Sequence, residues 1–540
     1  MVSFNKFLVK NHLYIIGISI FVLMFFLKPI YGTTDDYILD SWLNGTYTGD
    51  YESYSIFISA YASNFFSFLY SLNGAIPWFP LIMLILNFIS CAAIVFQIKS
   101  FKNISTNNYF VLLIILYSFL IWSYLKLTYT STGIILAVAA LVSLFFSIEQ
   151  NSKKLLTVSA AFVLLSFSIR PESLIAAIIF FYPVFLFHFK NKKLLYEKTS
   201  LILSVMAIIF AINWIMESRQ DKDFKEFRTW AKQVQSFAGR PTMEIIQKNI
   251  GNSGWTVFEY NSFKDFTYFD PNVFDSSWIN SGLQITKNYY LQPNLSAKNI
   301  FTIFINIYKS FNYFVVFIII ILFLVQKNFN ENKKISLLLL INFFIVNFIL
   351  GLYFQNVARV SVPILVGLTI FFVMILVRPI QNKFLNSILF LVSILTLFYL
   401  YNLNLENLSK ISRNTNNTNF IKNNFPQNII LIHGNQEFAQ YTNPYSFNKK
   451  DQNPNVFMIG NWDTFSPHWY KRANNLGLDG KNLTKELLNN KKLLWTAPSV
   501  PDTTYNLKNF LREQGFGEVE AVRIDSLPDG NDIRTLSLKE

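Results

Sequence analysis

Long apolar stretches separated by short polar segments recur along the first four hundred residues of this 540-residue chain. A helix rises 1.5 Å per residue, so about 20 mostly apolar residues cross the hydrocarbon core of a bilayer. This pattern predicts an all-α polytopic domain with about eleven transmembrane helices. The predicted spans are 12–31, 77–98, 108–126, 131–148, 154–169, 173–189, 199–216, 301–325, 335–354, 360–377 and 384–402.

Residues 403–540 have a different pattern, with short apolar runs between polar segments. Strands are predicted at 429–433, 456–460, 493–496 and 520–524, and a helix at 504–514 ends before Gly515. An Asn-rich stretch, 404–425, is expected to be a linker. The chain is therefore predicted to consist of a membrane domain, 1–402, and a small C-terminal α/β domain, 403–540.

The membrane domain has a long first loop at 32–76 and a large loop at 217–300, and the large loop is long enough to fold. Within the first loop, 53–72 is apolar and aromatic but is interrupted by Ser, Asn and Gly, so we expect an amphipathic helix lying in the membrane interface. Counting it as a span would reverse the side of every later loop.

Lysines and arginines alternate between the loops in the way that membrane topology requires. Basic residues cluster in every second loop, including Lys99, Lys153–Lys154, Lys190–Lys198 and Lys333–Lys334. The positive-inside rule places these loops and the N-terminus in the cytoplasm, and the loops 32–76 and 217–300 and the C-terminal region outside. The same rule explains the net charge of +14 without nucleic-acid binding.

The first apolar run has no small-residue cleavage site and is expected to remain as a helix. The Asn-, Lys- and Ile-rich composition suggests a bacterial plasma membrane protein.

Two adjacent carboxylates, Asp35 and Asp36, directly follow the first predicted membrane helix, in the segment TTDDY at 33–37. Neighbouring carboxylates repel each other, and partial desolvation raises a carboxyl pKa, which suits a general base. The simpler interpretation is that the pair caps the next helix and is solvated. Asp50 and Glu52 are further acids in the same loop.

The layout of a short cytoplasmic N-terminus, one helix, and a long outer loop that begins with an acidic motif resembles the GT-C superfamily of integral-membrane glycosyltransferases. The resemblance extends over the whole chain, including a C-terminal outer domain, although the motif itself is short. It implies transfer of a sugar from a polyprenyl-phosphate donor to a cell-surface glycan, lipid-linked glycan or protein acceptor, with inversion at the anomeric carbon. Asp35 corresponds to the catalytic aspartate, and Asp36 to a supporting or metal-binding partner. Asp50 and Glu52 are second-choice supporting acids, and a divalent metal, Mg²⁺ or Mn²⁺, is possible.

A lipid-phosphate leaving group needs cations at the outer membrane surface. Arg170 is the first candidate, with Glu172 as an available ion-pair partner; Arg359 is the second and Lys126 the third. Structural ion pairs or side chains that extend to the interface are the alternative explanation for each. The single cysteine, Cys91, lies in an apolar run and excludes a Cys-based metal site.

Two other functions remain open. A surface-polysaccharide polymerase or ligase would depend on Arg residues in the large outer loop, where Arg219, Arg228 and Arg240 lie. A lipid or glycan transporter would show repeated halves and ionisable residues at mid-membrane depth, neither of which the sequence displays.

Overall fold

The structure is a computed structural model of the chain. It describes residues 22, 25–101, 106–237, 242–287, 301, 331–353, 358–375, 383–433, 440–447, 455–497 and 501–539. Most of the predicted span 12–31 and nearly all of 301–325 lie outside these residues.

The N-terminal three quarters of the described chain are helical. The helices are α1 (Thr34–Leu43), α2 (Ala60–Leu72), α3 (Trp78–Phe101), α4 (Thr106–Leu125), α5 (Tyr129–Glu149), α6 (Lys153–Ile169), α7 (Pro171–His188), α8 (Lys192–Ser218), α9 (Lys222–Phe237), α10 (Thr242–Lys248), α11 (Ile250–Ser253), α12 (Val257–Lys264), α13 (Ser276–Lys287), α14 (Glu331–Tyr353), α15 (Ala358–Ile375) and α16 (Lys383–Asn424).

Four helices of the described residues, α3, α5, α7 and α8, are long and apolar enough to cross a membrane. Shorter apolar stretches occur at Leu112–Leu125, Leu337–Val346 and Arg359–Ile375. The chain is therefore a mostly helical membrane protein, and the total of eleven spans stays a prediction. A single residue, Arg170, joins α6 to α7 in a tight hairpin.

Helix α5 is the centre of the helical bundle, with its apolar window completely buried. Its small residues let neighbouring helices approach closely, as is usual in membrane bundles. Gly133 is one example, since a Cβ there would lie 3.0 Å from the side chain of Ser173. Buried polar side chains also pair across helices: Gln97 donates to the Ser143 hydroxyl at 2.8 Å. The N-terminus of α5 is therefore held in a fixed position.

Two short parallel strands place the first loop beside the start of α5. Strand β1 (Ile30–Tyr31) pairs with β2 (Lys126–Leu127), and Gly32 N–H donates to the Leu127 carbonyl at 2.7 Å. A Cβ on Gly32 would lie 2.3 Å from the Thr128 methyl group, so only glycine allows this approach. The acidic segment is thereby fixed next to Thr128 and Tyr129.

The C-terminal region contains a five-stranded mixed sheet. Its elements are β3 (Ile429–His433), β4 (Val456–Ile459), α17 (Pro467–Asn475), α18 (Leu483–Asn489), β5 (Leu493–Ala497), α19 (Pro501–Leu511), β6 (Val519–Ser526) and β7 (Asp532–Leu538). The strand order is β4-β3-β5-β7-β6, with β3 parallel to β4 and β5, and β7 antiparallel to β5 and β6. Four strands lie at the predicted positions, and the sequence analysis missed β7.

Helices of the first loop and of the large loop share one hydrophobic core with the sheet. It combines Trp42 of α1, Trp230 of α9 and Trp278 of α13 with Phe457 of β4 and Trp495 of β5. The first loop, the large loop and the C-terminal region thus pack as a single unit. The division of the chain at 402/403 stays a prediction.

The predicted linker at 404–425 is wrong, because α16 continues without a break from Lys383 to Asn424. Asparagines in this part of α16 donate hydrogen bonds to other segments of the chain. Asn407 is fully buried and donates to the carbonyls of Lys28 and Leu125, both at 2.9 Å, and Asn417 donates to Asp529 at 2.7 Å. Asn407 and Asn414 lie seven residues apart, on the same helix face, and both are buried.

The interrupted segment 53–72 is helical only from Ala60, in α2, where the Ser59 hydroxyl accepts the N–H of Ala62. One face of α2 buries Phe66 and Tyr70, whereas Phe65 and Phe68 are exposed. This two-sided apolar character fits the predicted interfacial helix, and its position in a membrane stays a prediction.

Candidate active site

The acidic pair lies in the first turn of α1, after Thr33 in extended conformation. Negative side chains at a helix N-terminus are favoured by the helix dipole. The two carboxylates nevertheless point into different surroundings. Asp36 is completely buried, whereas the side chain of Asp35 keeps 22% of its surface exposed.

Asp36 connects the first loop to α5. One carboxylate oxygen accepts the backbone N–H of Tyr129 at 2.9 Å, and the other accepts the Thr33 hydroxyl at 2.7 Å. Burial raises the pKa of Asp36 to about 7, although Arg359 and these two hydrogen bonds act in the opposite direction. Asp36 therefore holds the start of α5 against the acidic segment, and it can be protonated near neutral pH.

Asp35 forms an ion pair with Arg359. One guanidinium nitrogen of Arg359 lies 3.0 Å from an Asp35 oxygen and also donates to the Thr33 hydroxyl at 3.0 Å. Arg359 is at the start of α15, so the pair joins two segments more than three hundred residues apart in sequence. Both side chains are only partly buried, which leaves them accessible to a ligand.

Arg170 approaches the same place from the α6–α7 turn. It donates to the Tyr129 hydroxyl at 2.9 Å and to the Thr130 hydroxyl at 2.7 Å, and its guanidinium lies 5.1 Å from the centre of the Tyr129 ring. Glu172 is 3.7 Å away but is 73% exposed, so this ion pair contributes little. The guanidinium is positioned chiefly by Tyr129 and Thr130.

Tyr129 is thus the common contact of the site. Its backbone N–H binds Asp36 and its hydroxyl accepts from Arg170. Sequence reasoning missed Tyr129 because aromatic residues are common at membrane interfaces. No local pattern marks it, because its contacts depend on the pairing of β1 with β2. Asp35, Asp36, Arg170 and Arg359 therefore surround one helix end.

The other predicted site residues, Asp50, Glu52 and Lys126, interact with residues outside this cluster. Asp50 and Glu52 pair with Lys471 of α17, at 2.7 and 2.9 Å, and Glu52 also lies 3.5 Å from His468. These acids connect the first loop to the C-terminal region. Lys126 lies in β2. The pKa of Glu406 is lowered most by its hydrogen bond from Lys410, and the charge of Lys126 lowers it further. Supporting chemistry by Asp50 and Glu52 and phosphate binding by Lys126 stay predictions.

Two further buried carboxyl groups accept tyrosine hydroxyls near the site. Asp40 accepts from Tyr31 and from Tyr70, the latter at 2.7 Å. Asp463 accepts from Tyr47 at 2.7 Å. Burial, and to a lesser extent the nearby charge of Asp35, raise the pKa of Asp463 to about 7. No local sequence pattern predicts either pairing.

The donor set does not fit a divalent metal in this arrangement. Both Asp36 oxygens already accept hydrogen bonds, and Arg359 occupies the side of Asp35 where a cation would sit. The part of the chain that the structure describes has no group of three or more His, Cys, Asp or Glu suited to a metal.

No family model and no curated protein matches the chain. Among solved structures, the chain is similar to the crystal structure of ArnT from Cupriavidus metallidurans in the apo state. The similarity covers 97% of this chain and 98% of ArnT, at 11% sequence identity and a TM-score of 0.42.

Proposed function

We propose that the chain is a membrane glycosyltransferase of the GT-C type that uses a polyprenyl-phosphate sugar. The supporting observation is the convergence of a partly exposed carboxylate, Asp35, and two guanidinium groups, Arg170 and Arg359, at the N-terminus of the buried helix α5. This combines a proton acceptor with cations, as transfer from a lipid phosphate requires.

In this proposal Asp35 takes the proton from an acceptor hydroxyl as the hydroxyl oxygen bonds to the anomeric carbon. The bond between that carbon and the phosphate oxygen breaks, and the polyprenyl phosphate leaves with its electron pair. Arg170 and Arg359 stabilise the negative charge on the leaving oxygen. Attack opposite the leaving group inverts the anomeric carbon. No metal takes part.

The structure supports Asp35 rather than Asp36 as the proton acceptor. Asp36 is completely buried and both its oxygens accept hydrogen bonds from the protein. Asp35 is partly exposed and uses one oxygen for Arg359. Asp36 is therefore proposed as a positioning residue that fixes Tyr129. The Tyr129 hydroxyl in turn holds Arg170.

An apolar cleft between α4, α15 and α16 supports a lipid-linked donor. Its lining includes Ile115, Phe119, Val362, Val366 and Leu400. Val362 and Val366 follow Arg359 by three and seven residues, so the cleft and the arginine share one face of α15. In this proposal the polyprenyl chain lies along this apolar face of α15, with its phosphate at Arg359.

The test is transfer by the full-length protein in nanodiscs, supplied with radiolabelled polyprenyl-phosphate sugars and a membrane glycan extract. We expect label in a glycan, lipid-linked or protein product with wild type and with Asp223→Asn, an exposed aspartate of α9. Arg170→Ala should raise the KM for the donor more than the KM for the acceptor, whereas Arg219→Ala, an exposed arginine, should not. Donor consumption without a labelled product, or passage of unchanged donor across the bilayer, would contradict the proposal.

A further inference from the structure

The loop between β4 and α17, residues 460–466, lies against the first loop; we refer to it as the β4–α17 loop. Because β3 and β4 are parallel, their carboxyl ends meet at one edge of the sheet. The chain after β3 also reaches the first loop, where the Gln440 carbonyl accepts the N–H of Tyr31 at 3.2 Å. Ligands of α/β sheets bind outside the carboxyl ends of their strands. Here that edge faces the acidic segment.

A continuous series of aromatic rings joins this loop to the active site. The Trp462 ring lies 4.0 Å from Phe57 and 5.3 Å from Trp42, measured between centroids. Phe57 in turn lies 5.8 Å from Tyr129, whose N–H binds Asp36. The C-terminal region therefore contributes one wall of the site through the β4–α17 loop.

Three polar atoms of this wall have no hydrogen-bond partner among the described residues. They are one carboxylate oxygen of Asp463 and the indole nitrogens of Trp462 and Trp42. All three atoms are buried, although the Trp462 side chain as a whole is only half-buried. A buried polar group without a partner is unfavourable, so each such group requires an explanation. One acceptor and two donors beside aromatic rings are complementary to the hydroxyl groups of a sugar.

The backbone of the loop is held firmly. Gly460 has φ +66°, and a Cβ there would lie 1.7 Å from the Phe266 carbonyl oxygen. At the other end, the Ser466 hydroxyl accepts the N–H of Trp469 at 2.9 Å and begins α17. Phe465 has φ 69°, a conformation that is costly for a non-glycine residue. The unpartnered side chains are thus presented from a fixed support.

We propose that Trp42, Trp462 and Asp463 form the subsite that binds the acceptor carbohydrate. This rests on the proposed transferase function. The donor phosphate and lipid approach from the side of Arg170 and Arg359, so the opposite wall is left for the acceptor. Its hydroxyls donate to Asp463 and accept from the two indole N–H groups.

The first experiment measures binding independently of catalysis. Saturation-transfer NMR is recorded on the full-length protein in nanodiscs with methyl glycosides of hexoses, N-acetylhexosamines and pentoses; maltoside detergents are avoided because they carry sugars. We expect wild type to bind at least one glycoside. Trp462→Phe keeps an aromatic ring but removes the N–H. In Asp463→Asn the amide oxygen accepts from Tyr47, which leaves the amide NH₂ group where an acceptor for the sugar hydroxyl is needed. Each should weaken binding about tenfold, as expected for a lost hydrogen bond.

Trp230→Phe is the matched control, because the Trp230 indole donates to the Phe274 carbonyl at 2.9 Å within the same core. It should leave glycoside binding unchanged. Thermal unfolding of each variant shows whether it is folded. Absence of binding to every glycoside by wild type, or wild-type binding by folded Trp462→Phe and Asp463→Asn, would overturn the subsite.

The second experiment separates the subsite from the transferase activity on which it rests. Trp462→Phe should raise the KM for the acceptor more than the KM for the donor, whereas Trp230→Phe should change neither. A rise in the KM for the donor as large as the rise for the acceptor would instead assign Trp462 to donor binding and overturn the proposal. Glycoside binding that depends on Trp462 and Asp463, in a protein without transfer activity, would retain the subsite and refute the transferase.

Discussion

Replacing Asp36 with asparagine removes an ionisable group from a completely buried position while keeping its shape. The amide oxygen of Asp36→Asn can still accept the Tyr129 N–H, and the Thr33 hydroxyl can turn to accept from the amide. In wild type, the pKa of Asp36 is raised from 3.8 to about 7. The native state therefore binds more protons than the unfolded state between these two values, and stability falls as pH rises through this window.

The size of this effect follows from the shift. Three pKa units, each a tenfold change in the protonation equilibrium, give about 4 kcal/mol in total, of which more than half falls between pH 5 and pH 8. Asp463 is shifted in the same direction and adds its own contribution in wild type. Asp36→Asn should therefore lose less stability than wild type from pH 5 to pH 8, and should be the more stable protein at pH 8.

The assay is unfolding of the protein in nanodiscs, followed by tryptophan fluorescence at pH 5, 6, 7 and 8. Asp223→Asn, at an exposed position of α9, is the control whose curve should follow wild type. Parallel pH curves for wild type and Asp36→Asn would refute the inference that Asp36 is buried with a raised pKa. Asp36→Ala should differ from Asp36→Asn by being less stable at every pH, because it leaves the buried Tyr129 N–H without an acceptor.

Three further substitutions test the supporting contacts. Arg359→Met removes the cation beside the candidate base and should lower the transfer rate about 100-fold, measured by initial rates against donor concentration. Tyr129→Phe keeps the backbone N–H but removes the hydroxyl that accepts from Arg170, and should lower kcat/KM for the donor about tenfold with unchanged unfolding. Gly460→Ala should destabilise the protein by about 1–3 kcal/mol or prevent folding. Gly251→Ala, with no atom within 4 Å of the new Cβ, should be tolerated in the same unfolding assay.

Signals within single segments predicted much of the secondary structure. Strand β3 lies at the predicted residues 429–433, because a short apolar run, here four residues followed by His433, between polar segments is typical of a buried strand. The spans now seen as α5, α7 and α8 were readable from length and hydropathy alone. Strand β7 was missed because its buried and exposed residues do not alternate regularly, with Asp532 and Ile533 both buried.

Contacts between distant segments were less predictable. The topology placed Asp35, Asp36, Arg170 and Arg359 on one side of the membrane, and the structure brings them together. The role of Tyr129 could not be predicted from the sequence, because it depends on the β1–β2 pairing that places the first loop beside α5. Asp463 follows from packing across more than four hundred residues of sequence, since its partner is Tyr47. The asparagines of α16 were taken for a linker because composition does not reveal which polar residues face a buried partner.

The central claim is that Asp35 takes the acceptor proton while Asp36 positions the site. Its most direct test compares transfer from a radiolabelled polyprenyl-phosphate sugar by wild type, Asp35→Asn and Asp36→Asn in nanodiscs at equal protein level. We expect Asp35→Asn to retain no measurable transfer and Asp36→Asn to retain a measurable fraction of the wild-type rate. Transfer by Asp35→Asn at the wild-type rate would contradict the account.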